Sequence, residues 1–125
     1  SHSNARGACF HLRNLSDEMI RQLAERGGVT GINFCPSFLR EEEPATKKAS
    51  TMDMVRHMKY LRNVGGIDII GLGTDFDGFS GETDVPDTAH MQHLADVMSH
   101  DGFTDEEIEK IFSKNVLRVF RECWK

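Results

Sequence analysis

The sequence lacks the paired cysteines, the excess of basic residues and the long apolar runs that define several protein classes. Its three cysteines, Cys9, Cys35 and Cys123, are odd in number and far apart, which fits neither a disulfide framework nor a CxxC zinc site and favours reduced thiols. A net charge of -5 argues against a nucleic-acid or anionic-membrane partner. No apolar run approaches the roughly 18 residues of a membrane helix, and no secretory signal opens the chain. These absences favour a cytoplasmic location.

The composition is that of a single globular domain. Of the 125 residues, 38% are hydrophobic and 28% are charged, a balance typical of soluble folded proteins. A chain of this length buries about two thirds of its extended surface on folding, which is enough for a core. The sequence contains no internal repeat and no low-complexity tract. We therefore expect one domain without an internal linker.

The first part of the chain predicts two units, each with a helix followed by a strand. Ser16 can cap the first helix, and Gly27-Gly28 supplies its stop. The apolar faces carry Met19, Ile20 and Leu23 in the first helix, and Met54, Met58 and Leu61 in the second. The predicted order after the first helix is a strand over 29–34, a long surface loop over 36–50, a helix over 51–64 and a strand over 67–74. Such alternation implies parallel strands with right-handed crossovers.

The rest of the chain predicts helices and no further strand. A loop covers 81–86, a helix begins near Thr88, Thr104 and Glu107 form a capping box that opens another helix, and a last helix covers 115–123. The residues expected on the buried faces are Met91, Leu94, Ala95 and Met98, then Ile108, Ile111 and Phe112, and finally Val116, Leu117, Val119 and Phe120.

This order of elements indicates an α/β fold and is typical of the last part of a β/α barrel. A TIM-like barrel has eight strands and about 250 residues. This chain predicts two clear strands plus the end of a third, which would deliver Ser1-His2-Ser3. The simplest interpretation is that residues 1–125 are the C-terminal part of a single larger barrel domain, with its last two strands and its terminal helices.

An acidic side chain ends the second predicted strand. The apolar, glycine-spaced run from Ile69 stops at Asp75, and the carboxyl ends of barrel strands carry catalytic groups. Gly71 and Gly73 are interpreted as room for neighbouring side chains, because no third glycine and helix follow to form a phosphate-binding loop. Asn33 ends the first strand and is a candidate to line a pocket at the same mouth.

Four segments of the sequence carry a family resemblance. They are Ser1-His2-Ser3-Asn4-Ala5-Arg6, Arg13-Asn14-Leu15-Ser16-Asp17-Glu18-Met19-Ile20, Gly71-Leu72-Gly73-Thr74-Asp75-Phe76-Asp77-Gly78 and Asn115-Val116-Leu117-Arg118-Val119-Phe120. In this order they resemble the membrane (renal) dipeptidase family and its bacterial relatives. The resemblance implies a zinc dipeptidase on a metal-dependent-hydrolase barrel, in which two bridged zinc ions polarise the peptide carbonyl and activate water.

The resemblance also implies roles for three residues. His2 matches a histidine ligand of one zinc ion, a role that suits neutral imidazole. Arg13 matches the arginine that binds the free carboxylate of the dipeptide through its planar fork. Asp75 matches the catalytic acid at the substrate, expected to accept a proton from water and pass it to the leaving amine. The His11-Leu12 that precedes Arg13 replaces the His-Pro common in bacterial members, which loosens the turn.

The remaining histidines are assigned no chemistry. His57 lies in the second helix and is expected either to pack in the core or to contact residues of the site without binding the substrate itself. His90 and His93 share a helix face, but no carboxylate or thiol at proper spacing joins them, so we expect a solvated face. His11 is expected to be exposed.

The sequence thus predicts the C-terminal portion of a zinc metallodipeptidase that acts on small dipeptides. The family's other metal ligands are absent from this chain, so we expect the fragment alone to be inactive. The resemblance also implies a homodimer, because members of the family dimerise. Two alternatives remain: another metal-dependent amidohydrolase of the same superfamily, and a non-catalytic relative that serves as a binding module.

Overall fold

A long helix joins two parallel strands in the computed structural model of the chain, which describes residues 1–41, 48–79 and 81–124. The first half comprises helix α1 (Asp17–Glu25), strand β1 (Thr30–Ile32), helix α2 (Pro36–Leu39), strand β2 (Lys48–Ala49), helix α3 (Thr51–Gly65), a 3-10 turn (Ile67–Ile69) and strand β3 (Ile70–Leu72). The second half comprises strand β4 (Glu82–Thr83), a 3-10 turn (Thr88–His90), helix α4 (Met91–His100), helix α5 (Asp105–Glu109), a π-helical segment (Lys110–Lys114) and helix α6 (Asn115–Cys123).

Strands β1 and β3 lie side by side and parallel, as the sequence predicted. Gly31 is the register partner of Gly71. On the other side of β1, His2 forms an isolated parallel bridge with Gly31. The N-terminal segment therefore occupies the position of a third parallel strand, and the three carboxyl ends point to the same edge.

Apolar faces of α1, α3 and α4 form the core, in which α3 packs against these strands and against α1 and α4. The fully buried large side chains include Ile20, Ile32, Phe34, Met54, Met58, Leu61, Ile70, Leu94, Met98 and Ile111. The predicted face of α3 is thus confirmed. Met19 is 49% exposed, so its predicted place on the buried face of α1 is wrong. No helix in the described ranges is long and apolar enough to cross a membrane.

The predicted loops contain short elements that the sequence did not indicate. Within 36–50 the chain forms α2 and β2, while residues 42–47 lie outside the described part of the chain. Strand β2 pairs in parallel with β4, which lies inside the predicted loop 81–86. Lys48 and Glu82 are register partners in this ladder and form an ion pair of 3.2 Å. A strand of two residues is too short to show an alternation of apolar and polar residues in the sequence. Strands β2 and β4 are therefore identified only by their pairing with each other.

The strand predicted over 67–74 is shorter than expected. Its first three residues form the 3-10 turn Ile67–Ile69, and only Ile70–Leu72 is strand. The buried amide of Asn115 donates to the carbonyl oxygens of Ile67 and Ile70, both at 2.8 Å. Asn115, the first residue of α6, therefore supplies hydrogen-bond donors to the carbonyls of Ile67 and Ile70 from outside the sheet. Buried carbonyls need such donors where no neighbouring strand provides them.

The C-terminal helices form one continuous run from Asp105 to Cys123 instead of two separate helices. The run passes through the π-helical segment, where Glu109 and Lys114, five residues apart, form an ion pair of 2.8 Å. A π-turn brings residues i and i+5 together, which suits this pair. Thr104 and Glu107 form the predicted capping box at the start of α5.

The predicted buried face of α6 is wrong. Leu117 is 45% exposed and Phe120 is 47% exposed, and the Phe120 ring stacks on Trp124 with centroids 5.2 Å apart. Val116 and Val119 are only partly buried, and Asn115 is the buried residue of the described helix. An amphipathic pattern identifies an apolar face but not whether another element of the chain covers it.

Candidate functional site

Backbone hydrogen bonds hold His2 beside the first strand. Ser3 N–H donates to the carbonyl of Gly31 at 3.0 Å, and Gly31 N–H donates to the carbonyl of Ser1 at 2.8 Å. The hydroxyl of Thr30 adds a hydrogen bond of 2.8 Å to the carbonyl of Ser3. The imidazole of His2 is therefore carried by an anchored strand at the carboxyl edge of the sheet.

Asp75 follows the third strand at the same edge. The ladder continues past β3, because Gly73 N–H donates to Ile32 O at 3.0 Å and Phe34 N–H donates to Thr74 O at 3.2 Å. Asp75 then takes a φ of 59°, a left-handed conformation that is uncommon outside glycine, although aspartate adopts it more readily than most residues. Asp75 thus lies just past the end of the strand, at the edge of the sheet that carries His2.

Two glycines leave room for the His2 and Asp75 side chains. A Cβ on Gly73 would lie 2.6 Å from the Cβ of His2. A Cβ on Gly78 would overlap the carboxylate of Asp75, and Gly78 N–H donates to the carbonyl of Asp75 at 2.9 Å. The interpretation of Gly73 as room for a neighbouring side chain is confirmed, whereas the role of Gly78 was not predicted.

The structure brings His2 and Asp75 together. The His2 Nε2 and the Asp75 Oδ2 are 3.7 Å apart, and the side chains are 35% and 30% exposed. This separation is longer than a hydrogen bond. Each group therefore keeps hydrogen-bonding capacity directed to the same solvent-accessible region.

Asn33 is buried and contacts the carboxylate of Asp75 instead of lining an open pocket. It is 1% exposed, and its Oδ1 accepts a hydrogen bond of 2.8 Å from Cys35 N–H. Its Nδ2 consequently faces Asp75 and lies 3.4 Å from Oδ2. The side chain of Asn4 pairs with both backbone groups of Asn33, accepting from N–H at 2.7 Å and donating to the carbonyl at 2.9 Å. The prediction of a pocket-lining Asn33 is therefore corrected.

Arg13 lies on a closed loop beside the same strand. Ala5 and Leu15 form an isolated parallel bridge at the base of the loop. The guanidinium of Arg6 donates to the carbonyls of Leu12 and Asn14 at 3.1 and 3.0 Å. These contacts hold the turn without the proline of the family pattern. Within the described residues, no hydrogen bond or ion pair links Arg13 to His2 or Asp75.

Two other histidines are placed by the structure. His11, predicted to be exposed, is only partly so, because its ring packs edge-on against Phe38 with centroids 4.6 Å apart. The predicted packing role of His57 is confirmed by its full burial. Its Nδ1 accepts from Ala5 N–H at 3.2 Å, so Nε2 carries the proton and donates to Leu39 O at 2.9 Å. Burial lowers the pKa of His57 to about 4.

The residues at the strand ends fit part of a metal site. A catalytic zinc site takes about three protein ligands, for which imidazole and carboxylate are suitable. The described residues contain no group of three histidine, cysteine, aspartate or glutamate side chains that could hold a metal ion. His2 and Asp75 supply two such groups at one place. His90 and His93 are exposed, as predicted, and His90 is hydrogen-bonded to Asp87 at 2.6 Å.

Comparison with known proteins gives consistent matches over the whole chain. A family model described as membrane dipeptidase (peptidase family M19) matches residues 1–124. The chain is 34% identical over 125 residues to the uncharacterized protein in pqqA 5'region of Klebsiella pneumoniae, covering all of this chain and 46% of that protein. It is also 34% identical over 123 residues to dipeptidase tcpJ of Claviceps purpurea, covering 98% of this chain and 28% of that protein. The chain therefore spans less than half the length of either relative.

A solved structure shares the arrangement of strands and helices described above. A metallo peptidase from Rhodobacter sphaeroides, determined with a phosphinate mimic of the dipeptide L-Ala-D-Ala, superposes with a TM-score of 0.84 and 31% identity. The match covers 91% of this chain and 32% of that chain. The mixed helix and strand fold is thus that of a segment of this solved metallopeptidase.

Proposed function

Because the chain belongs to the membrane dipeptidase family, peptidase family M19, we propose that it forms the C-terminal part of a zinc dipeptidase barrel domain. Residues 1–125 would supply the last two strands and the terminal helices. The complete site would take small dipeptides with a free carboxylate and hydrolyse their peptide bond. The cytoplasmic location and the homodimer inferred from the sequence stay predictions.

The observation that carries this proposal is the approach of His2 Nε2 to within 3.7 Å of Asp75 Oδ2 at the ends of neighbouring parallel segments. A partly exposed carboxylate with a free lone pair can accept a proton from the attacking water and return it to the leaving amine. The amide of Asn33 keeps the Asp75 carboxylate in one orientation through this transfer. Asp75 would also contact the substrate there.

His2 is the residue of this chain that we assign to zinc, with ligands from the rest of the barrel completing the site. Its strand is anchored on both sides of the imidazole, at Ser1 and Ser3. The bound ions would supply electrophilic polarisation of the peptide carbonyl. Neutral imidazole on a fixed backbone suits this ligand role.

Arg13 is assigned to the carboxylate of the dipeptide. Its side chain is exposed, and no acid within the described residues pairs with it. An unpaired guanidinium presents two parallel N–H donors to a carboxylate. Unlike Asp75, Arg13 acts in binding and takes no part in proton transfer.

Zinc content of the whole protein that carries this chain tests the assignment of His2. We expect about two zinc ions per chain in the wild type and a loss of at least one in His2→Gln. The exposed His93→Gln is the matched control and should retain the wild-type zinc content. Unchanged zinc content in a folded His2→Gln protein would contradict the proposal.

A further inference from the structure

The Arg13 guanidinium lies over an aromatic ring. The Arg13 Cζ lies 5.3 Å from the centroid of the Phe38 ring, within the range in which cation and ring attract each other. A guanidinium held over a ring has fewer orientations to lose when a carboxylate binds.

Phe38 is itself fixed to the loop that carries Arg13. Its carbonyl accepts hydrogen bonds from the Asn14 Nδ2 at 2.9 Å and from the Asn4 Nδ2 at 3.4 Å. Asn14 is 2% exposed and also donates to the carbonyl of Cys9 at 3.0 Å. Asn14, the residue next to Arg13, therefore ties the loop to the backbone of Phe38.

The backbone of Arg13 has a separate restraint. Its N–H donates to His11 Nδ1 at 3.1 Å, and the His11 ring packs edge-on against the Phe38 ring at an interplanar angle of 66°. The Arg13 guanidinium, the Asn14 amide and the His11 imidazole, all on one loop, thus contact Phe38. These contacts were not predicted, because Phe38 lies in a segment predicted to be a loop.

We propose that Phe38 is a positioning residue that sets the orientation of the Arg13 guanidinium for the substrate carboxylate. This inference rests on the proposed role of Arg13 in binding the dipeptide. Phe38 touches neither the scissile bond nor the proton-transfer group in this account. Its effect should therefore fall on substrate binding and depend on the carboxylate.

Steady-state hydrolysis of alanyl-alanine by the whole protein tests the inference. Replacing the ring in Phe38→Leu should raise KM about two- to fivefold, the amount expected for an exposed cation–ring contact, and leave kcat within twofold. Phe38→Tyr keeps the ring and should keep the wild-type KM. Phe38→Met is a second ring-free variant with a flexible apolar side chain, in case Phe38→Leu does not fold.

Alanyl-alanine amide, which lacks the carboxylate, separates orientation of Arg13 from general packing. Its inhibition constant against alanyl-alanine hydrolysis should be the same in the wild type and in the ring-free variants. In an Arg13→Ala background, Phe38→Leu should raise KM no further. An unchanged KM in a folded ring-free variant, or an equal rise in the amide inhibition constant, would overturn the inference.

Arg13→Ala alone distinguishes this inference from the proposed function. If Arg13→Ala leaves the KM for alanyl-alanine unchanged, Arg13 does not bind the substrate and both assignments fail. If Arg13→Ala raises KM while the ring-free variants do not, only the role of Phe38 fails.

Discussion

Acidification is expected to destabilise the fold through His57. The imidazole is fully buried between Ala5 and Leu39, and its Nδ1 must stay unprotonated to accept the Ala5 N–H. Burial lowers the pKa of His57 from 6.5 to about 4. The unfolded chain therefore binds a proton more readily than the folded chain at mildly acidic pH.

The magnitude follows from the two pKa values. Since the folded-state pKa is the lower one, the stabilisation is complete above pH 6.5 and is lost as the pH falls towards 4. Linkage gives a loss of about 2 kcal/mol between pH 7.5 and pH 5, and about 3 kcal/mol once the pH is below 4. A loss of this size is a large fraction of the unfolding free energy of a typical domain.

Urea unfolding of the whole protein at pH 7.5 and pH 5 measures this effect. His57→Gln cannot become charged, so its stability should fall by about 2 kcal/mol less than that of the wild type over this interval. At pH 7.5 it should be less stable by about 1–3 kcal/mol, because Ala5 N–H loses its acceptor. His93→Gln, an exposed histidine, is the control and should keep the wild-type pH dependence. The same pH dependence in His57→Gln as in the wild type would show that His57 does not cause the loss of stability in acid.

Two further substitutions test the site and the fold. Gly78→Ala should displace the Asp75 carboxylate, because the added Cβ overlaps it, and should lower kcat for dipeptide hydrolysis about tenfold or more. The control Gly27→Ala meets no neighbouring atom but strains a backbone φ of 70°, so it should lower stability and leave kcat unchanged. A fully active Gly78→Ala would exclude the steric role of Gly78. Asn115→Ala removes hydrogen bonds to two carbonyls and should lower the free energy of unfolding in urea by about 2–3 kcal/mol. The control Asn63→Ala, at an exposed position, should lower it little. Equal losses in the two variants would argue against the contribution of the buried amide.

The meeting of His2 and Asp75 could be predicted from the sequence. The alternation of strand, helix and strand in the sequence was sufficient to predict parallel strands. Parallel strands bring their carboxyl ends to the same edge of the sheet. Packing of His57 was also predictable, because it lies in the helix whose apolar stripe includes Met54, Met58 and Leu61.

The contacts of Asn33 and Phe38 could not be predicted. The amide of Asn33 faces Asp75 because a backbone N–H two residues later occupies its oxygen, and such local geometry has no periodic signature. Phe38 supports Arg13 only because α2 folds back on the loop between Ala5 and Leu15. The exposure of Leu117 likewise depends on which elements reach α6, which an amphipathic pattern does not specify.

Dipeptide hydrolysis by Asp75→Asn in the whole protein measures the contribution of Asp75 to proton transfer. Asparagine keeps the size of the side chain and tolerates the left-handed φ of 59° at this position, so the fold and the zinc content should be retained. We expect a loss of kcat of about 100-fold or more, since a general acid–base group contributes that much. A folded, zinc-loaded Asp75→Asn protein with wild-type kcat would contradict the proposed role of Asp75.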